Sequence, residues 1–408
     1  MGTILNTTQN FLKLYLHACG KSEVPTGFHL WSCLSLIAAC VADRVKICWI
    51  EEQPISPNLY VFLIAPSGIG KNVATTIASQ YIVAQDGWVK ERVNYYRGKL
   101  TPQFLHDKLG AKAYSAEKDA YVQANSKIWF VTPELTYGMG KGELSEQLVE
   151  TMTELYSSGH IVISEGTRTR GELTVEDPNI NWLAGTTKEW LVDAVKPKGI
   201  KSGFFARVIP IHYRKMIPEE AVWAPIYPRD RPWVVQYLRA RVQALCYTEG
   251  VFEITPEADA YGRQWYFNRA KPEDEFSAVF WNRAREMMLK IAMLLALADG
   301  GPLKILPTHF QKAHTWYEMM QEAAKVLIEL ACQTPQTHGV KTVAGLIEKA
   351  KEMDHSKLLV RAHKYGLDSK AVREAVCTLQ QWGNVEPSQR RDGERGRQKV
   401  VYVWRDKN

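Results

Sequence analysis

The sequence predicts an α/β protein with a parallel sheet, a helical region and a small C-terminal domain. Three observations support this prediction. Residues 59–64 form a short, nearly continuous apolar run, as expected for a strand buried on both faces of a parallel sheet. Helical apolar spacing dominates residues 233–332. The polar, aperiodic stretch 333–339 then separates a last segment with its own pattern of three helices and two strands.

Composition limits the class of protein further. The chain has 408 residues and a formal charge of +7, which permits a polyanionic partner without requiring one. We expect a cytoplasmic protein without membrane contact, because no run of about twenty apolar residues occurs and the first residues lack a signal-peptide pattern. The seven cysteines are scattered without C-x-x-C pairs, which predicts buried thiols rather than disulfides or a zinc site.

A glycine-containing turn after the buried strand is the centre of the predicted site. Its proline and glycines let the backbone direct successive N–H groups at an anion, and residues 73–83 are predicted as the helix behind it. Lys71 is placed to reach the β- and γ-phosphates of a nucleotide. We therefore predict a phosphate-binding loop made of Pro66, Ser67, Gly68, Ile69, Gly70, Lys71, Asn72 and Val73.

This turn departs from the pattern G-x-x-x-x-G-K-[ST] at two positions. Ala65 replaces the first glycine, which matters little if the residue has ordinary dihedral angles. Asn72 replaces the Ser or Thr that binds Mg²⁺, and an amide oxygen can bind the ion or one of its waters. The replacement at Asn72 affects the expected hydrolysis of the nucleotide more than its binding. The alternative is a chance turn of glycine, proline and lysine.

The segments around the turn are predicted as mainly helical. Residues 9–18 and 28–42 form helices packed on the nucleotide domain as a lid. Residues 87–98 form an amphipathic, basic helix. Thr101 caps the next helix, and 115–123 continues the helical pattern.

Two later strands end in polar side chains that suit a nucleotide site. Residues 127–134 form a buried strand that ends in an acid, and this Glu134 is a candidate to polarise an attacking water and to hold Mg²⁺. The alternative for Glu134 is a surface acid at a strand end. Residues 181–187 form a third strand, where Thr186 or Thr187 is a candidate sensor of the γ-phosphate, with a helix cap as the alternative.

Arginines occupy two further features. Residues 160–175 are predicted as a β-hairpin whose tip carries Arg168 and Arg170, which alternate along the chain and are candidates to grip a phosphate backbone. A solvated turn is the alternative. Arg207 lies at the start of another apolar strand, from which it is suited to reach the γ-phosphate of a neighbouring subunit.

The order of these motifs resembles the P-loop helicase module of phages, plasmids and integrative elements, which is often fused to a primase. That module is similar to the minichromosome-maintenance and superfamily 3 ring helicases. The segments that carry the resemblance are 65–72, 132–134, the hairpin, 183–187, 203–207 and the predicted helix at 282–292. The resemblance implies a RecA/AAA+-like core in a homo-hexameric ring that binds ATP and Mg²⁺ and draws single-stranded DNA through its pore.

Carried over residue by residue, the resemblance gives each candidate a role. It implies that Lys71 binds phosphate, that Glu134 activates water and that Thr186 senses the γ-phosphate. It also implies that Arg207 is the arginine finger and that Arg283 is the second sensor. This chain departs from the family at Asn72 and at 132–133, where no Asp precedes the glutamate. Both departures concern the hydrolysis of ATP more than its binding. A separate primase or initiator protein is a further expected partner.

The remainder of the chain is predicted to form a helical lid and a winged-helix domain. The predicted division is a helical segment at 1–50, the ATPase core at 51–217, the lid at 218–332 and the winged helix at 333–408. Three helices followed by two strands around an arginine-rich turn predict the winged helix, which would bind duplex DNA; a domain used only for protein contacts is the alternative. Its candidate DNA-binding residues are Lys370, Arg373, Arg390, Arg391, Arg395 and Arg397.

The expected function is therefore that of an ATP-dependent, ring-forming DNA helicase or translocase in the replication of a mobile element or virus. Two alternatives stay open. One is a nucleotide-switched DNA-binding initiator or regulator with weak or no ATPase activity. The other is a partner-dependent defence or helicase-loader ATPase.

Overall fold

A computed structural model describes most of the chain, in thirteen ranges. These are 10–50, 53–109, 112–115, 120–123, 126–135, 143–156, 162–167, 171–191, 203–213, 223–272, 275–331, 335–391 and 398–405. The chain divides into two compact units, Met1–Ile328 and Glu329–Asn408. None of the helices in these ranges combines the length and the apolar character that a membrane crossing needs.

The helices of the first unit are mostly of ordinary length, with two of 25 residues near its end, the second of which extends three residues beyond Ile328. They are α1 Phe11–Cys19, α2 Thr26–Val41, α3 Lys71–Thr76, α4 Gly87–Val93, α5 Pro102–Leu109, α6 Glu143–Glu154, α7 Arg231–Tyr247, α8 Pro256–Asn268, α9 Glu275–Asp299 and α10 Pro307–Ala331. A π-helix at Ile77–Val83 continues α3, and a 3₁₀ turn spans Phe205–Arg207.

The strands of the first unit form one larger sheet and several short ribbons. They are β1 Val45–Ile50, β2 Gln53–Ile55, β3 Tyr60–Ile64, β4 Tyr95–Arg97, β5 Lys112–Ser115, β6 Ala120–Gln123, β7 Lys127–Thr132, β8 Val162–Thr167, β9 Gly171–Glu176, β10 Asn179–Thr186, β11 Val208–His212, β12 Gly250–Val251, β13 Glu253–Ile254 and β14 Lys304–Ile305.

The larger sheet is parallel, and the described part of the chain contributes five strands to it in the order β11-β3-β10-β7-β4. Every residue of β3 and of β10 is buried, which explains why both are apolar nearly throughout. β3 lies between β10 and β11, which both come much later in the chain. The strand order therefore changes direction at β3, with β10, β7 and β4 on one side and β11 on the other. The carboxyl ends of parallel strands beside such a reversal are where α/β proteins bind ligands.

The two faces of β3 pack against different partners. Val61 and Leu63 join the core that includes α2, in which almost every side chain is buried. Tyr60 and Phe62 point to the opposite face and pack edge-on against the ring of Trp182 from β10. The helices predicted at 9–18 and 28–42 are confirmed as α1 and α2, but α2 is a core helix on the sheet rather than a lid.

Three other predictions of secondary structure are wrong at least in part. The helix predicted at 115–123 is wrong at Ser115 and at 120–123, because these residues belong to β5 and β6, whose antiparallel pairing overrides local helix propensity. The helix predicted at 87–98 ends at Val93, because Asn94 adopts a left-handed conformation, and β4 follows as an edge strand. The helix predicted at 73–83 is α-helical only up to Thr76 and then becomes π-helical.

Several predicted local features are confirmed. Thr101 caps α5, since its hydroxyl accepts a hydrogen bond from the N–H of Phe104 (3.1 Å). The predicted hairpin is present as the antiparallel pair β8 and β9. Four cysteines are buried as free thiols, whereas Cys48 and Cys377 are exposed, so the prediction of buried thiols fails at those two positions; Cys332 lies outside the described residues.

In its described residues, the second unit contains three helices and a three-stranded antiparallel sheet. Its elements are α11 Pro335–Ala350, β15 Glu352–Asp354, α12 His355–His363, α13 Ser369–Gln381, β16 Val385–Arg391 and β17 Gln398–Trp404, and the strand order is β15-β17-β16. α11 begins inside the stretch 333–339 that was predicted as aperiodic. Asp368 caps α13, because its carboxylate accepts a hydrogen bond from the N–H of Ala371 (2.7 Å).

Candidate functional site

The turn between β3 and α3 is shaped by two glycines in left-handed conformations. Gly68 has φ of +89° and Gly70 has φ of +70°, values that side-chain-bearing residues rarely adopt. A Cβ atom on Gly70 would also meet the side chain of Val24, which packs against the turn. Ala65 is absent from the positive-φ residues of the described chain, so its replacement of the first glycine causes no strain.

Lys71 is buried beneath this turn with only 8% of its surface exposed. Its Nζ donates hydrogen bonds to the carbonyl oxygens of Ala65 (2.6 Å) and Pro66 (2.8 Å). Desolvation lowers the pKa of Lys71, while the negative charges of Glu134 and Glu189 oppose this effect. Two of the three ammonium hydrogens are thus used to hold the loop, and one donor is left for a ligand.

Thr186 and Glu134 lie at the same end of the sheet as Lys71. β10 is hydrogen-bonded to both β3 and β7, with Thr186 paired with Ile64 in the register. Glu134 follows β7 by two residues and is exposed. Because the three strands are adjacent and parallel, the loop lysine, Thr186 and the carboxylate come from neighbouring strand ends.

The two predicted threonines have different hydrogen bonds. Thr187 is a helix cap, since its hydroxyl accepts from the N–H of Trp190 (3.3 Å). Thr186 is 5% exposed, and its hydroxyl donates to the carbonyl of Thr187 (3.2 Å). Its own carbonyl accepts from the N–H of Ala65 (3.2 Å), which joins the start of the turn to β10. The helix-cap interpretation therefore holds for Thr187, and Thr186 remains next to the turn.

Gly185 is a site residue that the sequence pattern did not single out. A Cβ atom there would overlap the carbonyl oxygen of Pro133 and would lie 3.4 Å from Cβ of Lys71. The absence of a side chain therefore lets β7, β10 and the turn approach one another. The only signal in the sequence was a glycine near the end of an otherwise apolar strand, which is typical of close backbone approach.

No protein-family model matches this chain, and no curated protein is significantly similar to it. The candidate site therefore depends on its own geometry.

The residue that precedes Pro133 has a structural partner. The hydroxyl of Thr132 accepts a hydrogen bond from the indole N–H of Trp182 (2.8 Å), and both side chains are buried. Asn72 and Glu134 are exposed near the turn. In the described part of the chain no three His, Cys, Asp or Glu side chains are grouped as a metal site. The side chains of Asn72 and Glu134 offer an amide and a carboxylate oxygen, which fit a Mg²⁺ ion that a nucleotide's phosphates would hold for the most part.

Arg207 and Arg283 lie far from Lys71 within one chain. Val208 pairs with Tyr60, the first residue of β3, so Arg207 lies at the amino end of the sheet, whereas the turn follows its carboxyl end. The five residues of β3 separate the two ends by roughly 16 Å. The described structure thus brings Lys71, Glu134 and Thr186 together and places the two arginines elsewhere.

The two arginines share a partner in Tyr156. The guanidinium carbon of Arg207 lies 5.8 Å from the centre of its ring, and that of Arg283 lies 5.9 Å from it. Arg207 also donates to the carbonyl of Gly203 (2.8 Å), and Arg283 forms an ion pair with Glu286 (2.9 Å). Burial lowers the pKa of Arg207, and the nearby charge of Arg283 adds to this effect. The pair of arginines is therefore held at one place on the surface.

The candidate DNA-binding residues are only partly described. Lys370 and Arg373 are exposed on the first turns of α13, where Arg373 donates to the carbonyl of Ser369 (3.1 Å). Arg390 forms a two-fold contact with Glu352 of β15 (3.0 and 2.9 Å), which offsets its charge. Outside the described residues lie Arg168, Arg170, Arg395, Arg397 and the side chain of Arg391.

Proposed function

We propose that this chain is an ATP-dependent, ring-forming DNA helicase or translocase that acts in the replication of a mobile element or virus. One observation supports the proposal most strongly. The glycine turn, the buried Lys71, Thr186 and Glu134 lie together at the carboxyl ends of three adjacent parallel strands. This combination suits the binding of a triphosphate and the activation of a water beside it.

In this mechanism the turn binds the phosphates of ATP. Backbone N–H groups around Gly68 and Gly70 face the β-phosphate, and the remaining donor of Lys71 contacts the β- and γ-phosphates. Glu134 orients and polarises the attacking water, and Thr186 responds to the presence of the γ-phosphate. Mg²⁺, held by the phosphates with Asn72 and Glu134, would neutralise charge on the phosphate oxygens.

The arginines act across a subunit interface in this proposal. Arg207 and Arg283 lie at the opposite end of the sheet from the turn, so they cannot reach the γ-phosphate bound by their own chain. A head-to-tail ring contact places one surface of a subunit against a different surface of the next. Such a contact would bring both arginines to a neighbour's γ-phosphate, where they stabilise the charge of the transition state.

DNA would be engaged by two parts of the chain. The hairpin β8–β9 carries Arg168 and Arg170 and would contact single-stranded DNA in the pore. The second unit has three helices and an antiparallel sheet, which is compatible with a winged helix. Lys370 and Arg373 on α13 would contact duplex DNA in this proposal, together with the arginines between β16 and β17.

A second candidate function follows from Thr132. Its hydroxyl is fixed by Trp182 in the core, and an exposed asparagine stands at the Mg²⁺ position of the turn. Both features favour binding over turnover. The second candidate is therefore a nucleotide-switched DNA-binding initiator or regulator, in which ATP drives assembly without unwinding.

Steady-state hydrolysis of ATP by the full chain tests the proposal. We expect turnover that rises with single-stranded DNA and that falls at least about 100-fold in Lys71→Ala, because a charge stabiliser at the phosphates is lost. Lys90→Ala, which removes an exposed lysine of α4, is the matched control and should leave turnover unchanged. Tight binding of ATP without turnover in either condition would contradict the helicase and favour the nucleotide switch.

A further inference from the structure

A fully buried lysine lies at the amino end of β3. Lys290, on α9, has no exposed surface. Its Nζ donates to the side-chain oxygen of Asn58 (2.6 Å), forms an ion pair with Glu286 (3.1 Å), and lies 4.0 Å from the centre of the Tyr156 ring. Burying an ammonium group is costly unless it is paired, so these contacts fix where its charge lies.

This lysine belongs to a cluster whose charges do not balance. Arg207, Arg283 and Lys290 surround the ring of Tyr156, and Glu286 is the one carboxylate among the described groups in contact with them. Two buried atoms of the cluster, Nε of Arg207 and the hydroxyl of Tyr156, have no hydrogen-bond partner in the described part of the chain. An anion supplied from outside would complete this set.

The outer side of the cluster is accessible. The side chains of Arg283 and Glu286 are 28% and 29% exposed, whereas Lys290 beneath them is fully enclosed. An incoming anion would therefore meet the arginines first. It would compete with Glu286 for Arg283, and the released carboxylate would then interact more strongly with Lys290.

The inner side of the cluster leads to the nucleotide turn. Asn58 directly precedes Leu59 and the buried strand β3, which ends at the turn. The amide of Asn58 also donates to the carbonyls of Tyr156 (3.0 Å) and Ile180 (3.3 Å), so it ties the cluster to β10 as well. Asn58 therefore connects Lys290 to the two strands that carry the turn and Thr186.

We propose that Glu286, Lys290 and Asn58 form a buried relay, in which engagement of Arg207 and Arg283 by a neighbour's nucleotide raises the affinity of the same subunit's own turn for ATP. The inference rests on the proposed function. It assigns Lys290 as a positioning residue, which acts on the nucleotide through Asn58 and β3 without touching it. The relay supplies the link between two sites that cooperativity requires.

The test compares the ATP affinity of the full chain at a low protein concentration, where subunits are separate, and at a high one, where they assemble. The wild type should bind ATP at least about fivefold more tightly when assembled. Lys290→Met should lose this gain, while its affinity at low concentration stays within about twofold. Lys127→Met is the matched control, because Lys127 lies at the same end of the sheet, pairs with Asp43 (3.0 Å) and should keep the gain.

Two further variants separate a relay from a purely structural role. Arg283→Ala should lose the same gain in ATP affinity. Adding Lys290→Met to it should cause no further loss, because the two residues are successive parts of the same relay. Glu286→Gln interrupts the same path and replaces Lys290→Met if that variant does not fold. A structural role would instead lower the affinity of separate subunits.

The outcomes distinguish the relay from the proposed function. A gain that persists in Lys290→Met overturns the relay alone, as does an equal affinity of the wild type at both concentrations. A wild-type chain that binds no ATP at either concentration overturns the proposed function, and the relay with it.

Discussion

At the scale of single residues, the strand β3 has a buried lysine at each end. Lys71 lies below the turn at its carboxyl end, and Lys290 contacts Asn58 at its amino end. Buried ammonium groups are rare in protein cores because desolvation disfavours their charged form. Each is held by oxygen atoms, two carbonyls for Lys71 and an amide with a carboxylate for Lys290.

Lys290 should make stability depend on pH. Burial lowers its pKa from 10.5 to about 8, although Glu286 opposes this shift. Between these two values the unfolded chain binds the proton and the folded chain does not, so stability should rise with pH through this window. The rise is at most about 1.4 kcal/mol per pH unit.

Chemical unfolding of the wild type and of Lys290→Met from pH 7.5 to 10.5 measures this effect. The difference between the two curves removes the contributions of tyrosine and cysteine side chains, which both proteins share. The wild type should gain stability relative to the variant as pH increases. Parallel curves would contradict the assignment of a depressed pKa to this lysine.

Gly185 should tolerate no side chain. Gly185→Ala would push a Cβ atom into the carbonyl of Pro133, so β7, β10 and the turn must separate. We expect a loss of about 1–3 kcal/mol in the free energy of unfolding and weaker binding of ATP. Gly87→Ala is the control, since a Cβ at Gly87 meets nothing within 4 Å. Equal stability and equal ATP affinity in the two variants would contradict the close approach inferred here.

At the scale of elements, the sequence predicted the parts whose pattern is local. β3, β7 and β10 are continuous apolar runs, and α2 has helical spacing, so each was predicted within a few residues. The ribbon β5–β6 and the edge strand β4 were missed because their conformation depends on a partner strand.

The candidate site also contains residues that the sequence pattern could locate and residues that it could not. The turn, Lys71, Thr186 and Glu134 follow strands directly, so their common location could be predicted once those strands were taken as parallel neighbours. The cluster around Lys290 could not, because Asn58 and Lys290 are 232 positions apart and only packing brings them together. The same holds for Thr132, whose partner Trp182 is recognisable only in the folded sheet.

The proposed DNA binding leads to a prediction about which basic residues of the second unit take part. Lys370 and Arg373 are exposed on α13, whereas Arg390 is already paired with Glu352. Replacing Lys370 and Arg373 by alanine should weaken binding of duplex DNA, because two phosphate contacts are lost. The slope of the logarithm of the binding constant against the logarithm of the salt concentration should decrease in magnitude by about two. Arg390→Ala should have a smaller effect.

Titrations of duplex DNA with the full chain at several salt concentrations measure both quantities. Glu352→Gln provides the complementary variant, because it releases Arg390 and should increase affinity. Binding that is unaffected by the α13 variants would favour a second unit that serves protein contacts.

At the scale of the whole molecule, the proposed activity needs more than one chain. The turn with Lys71 and the surface with Arg207 lie at opposite ends of one sheet. A head-to-tail ring presents one end of each subunit to the other end of the next, and each interface then combines Lys71 from one chain with Arg207 from another. Separate monomers would bind nucleotide but lack the arginine.

Mixing two inactive variants tests this arrangement. Lys71→Ala retains the arginine and Arg207→Ala retains the turn, so each alone should show almost no hydrolysis of ATP. In an equal mixture, about one quarter of the interfaces join an intact turn to an intact arginine, and turnover should recover in proportion. A mixture of Lys71→Ala with the double variant Lys71→Ala/Arg207→Ala contains no intact turn and is the control. If the first mixture is no more active than this control, Arg207 does not act on a neighbour's nucleotide.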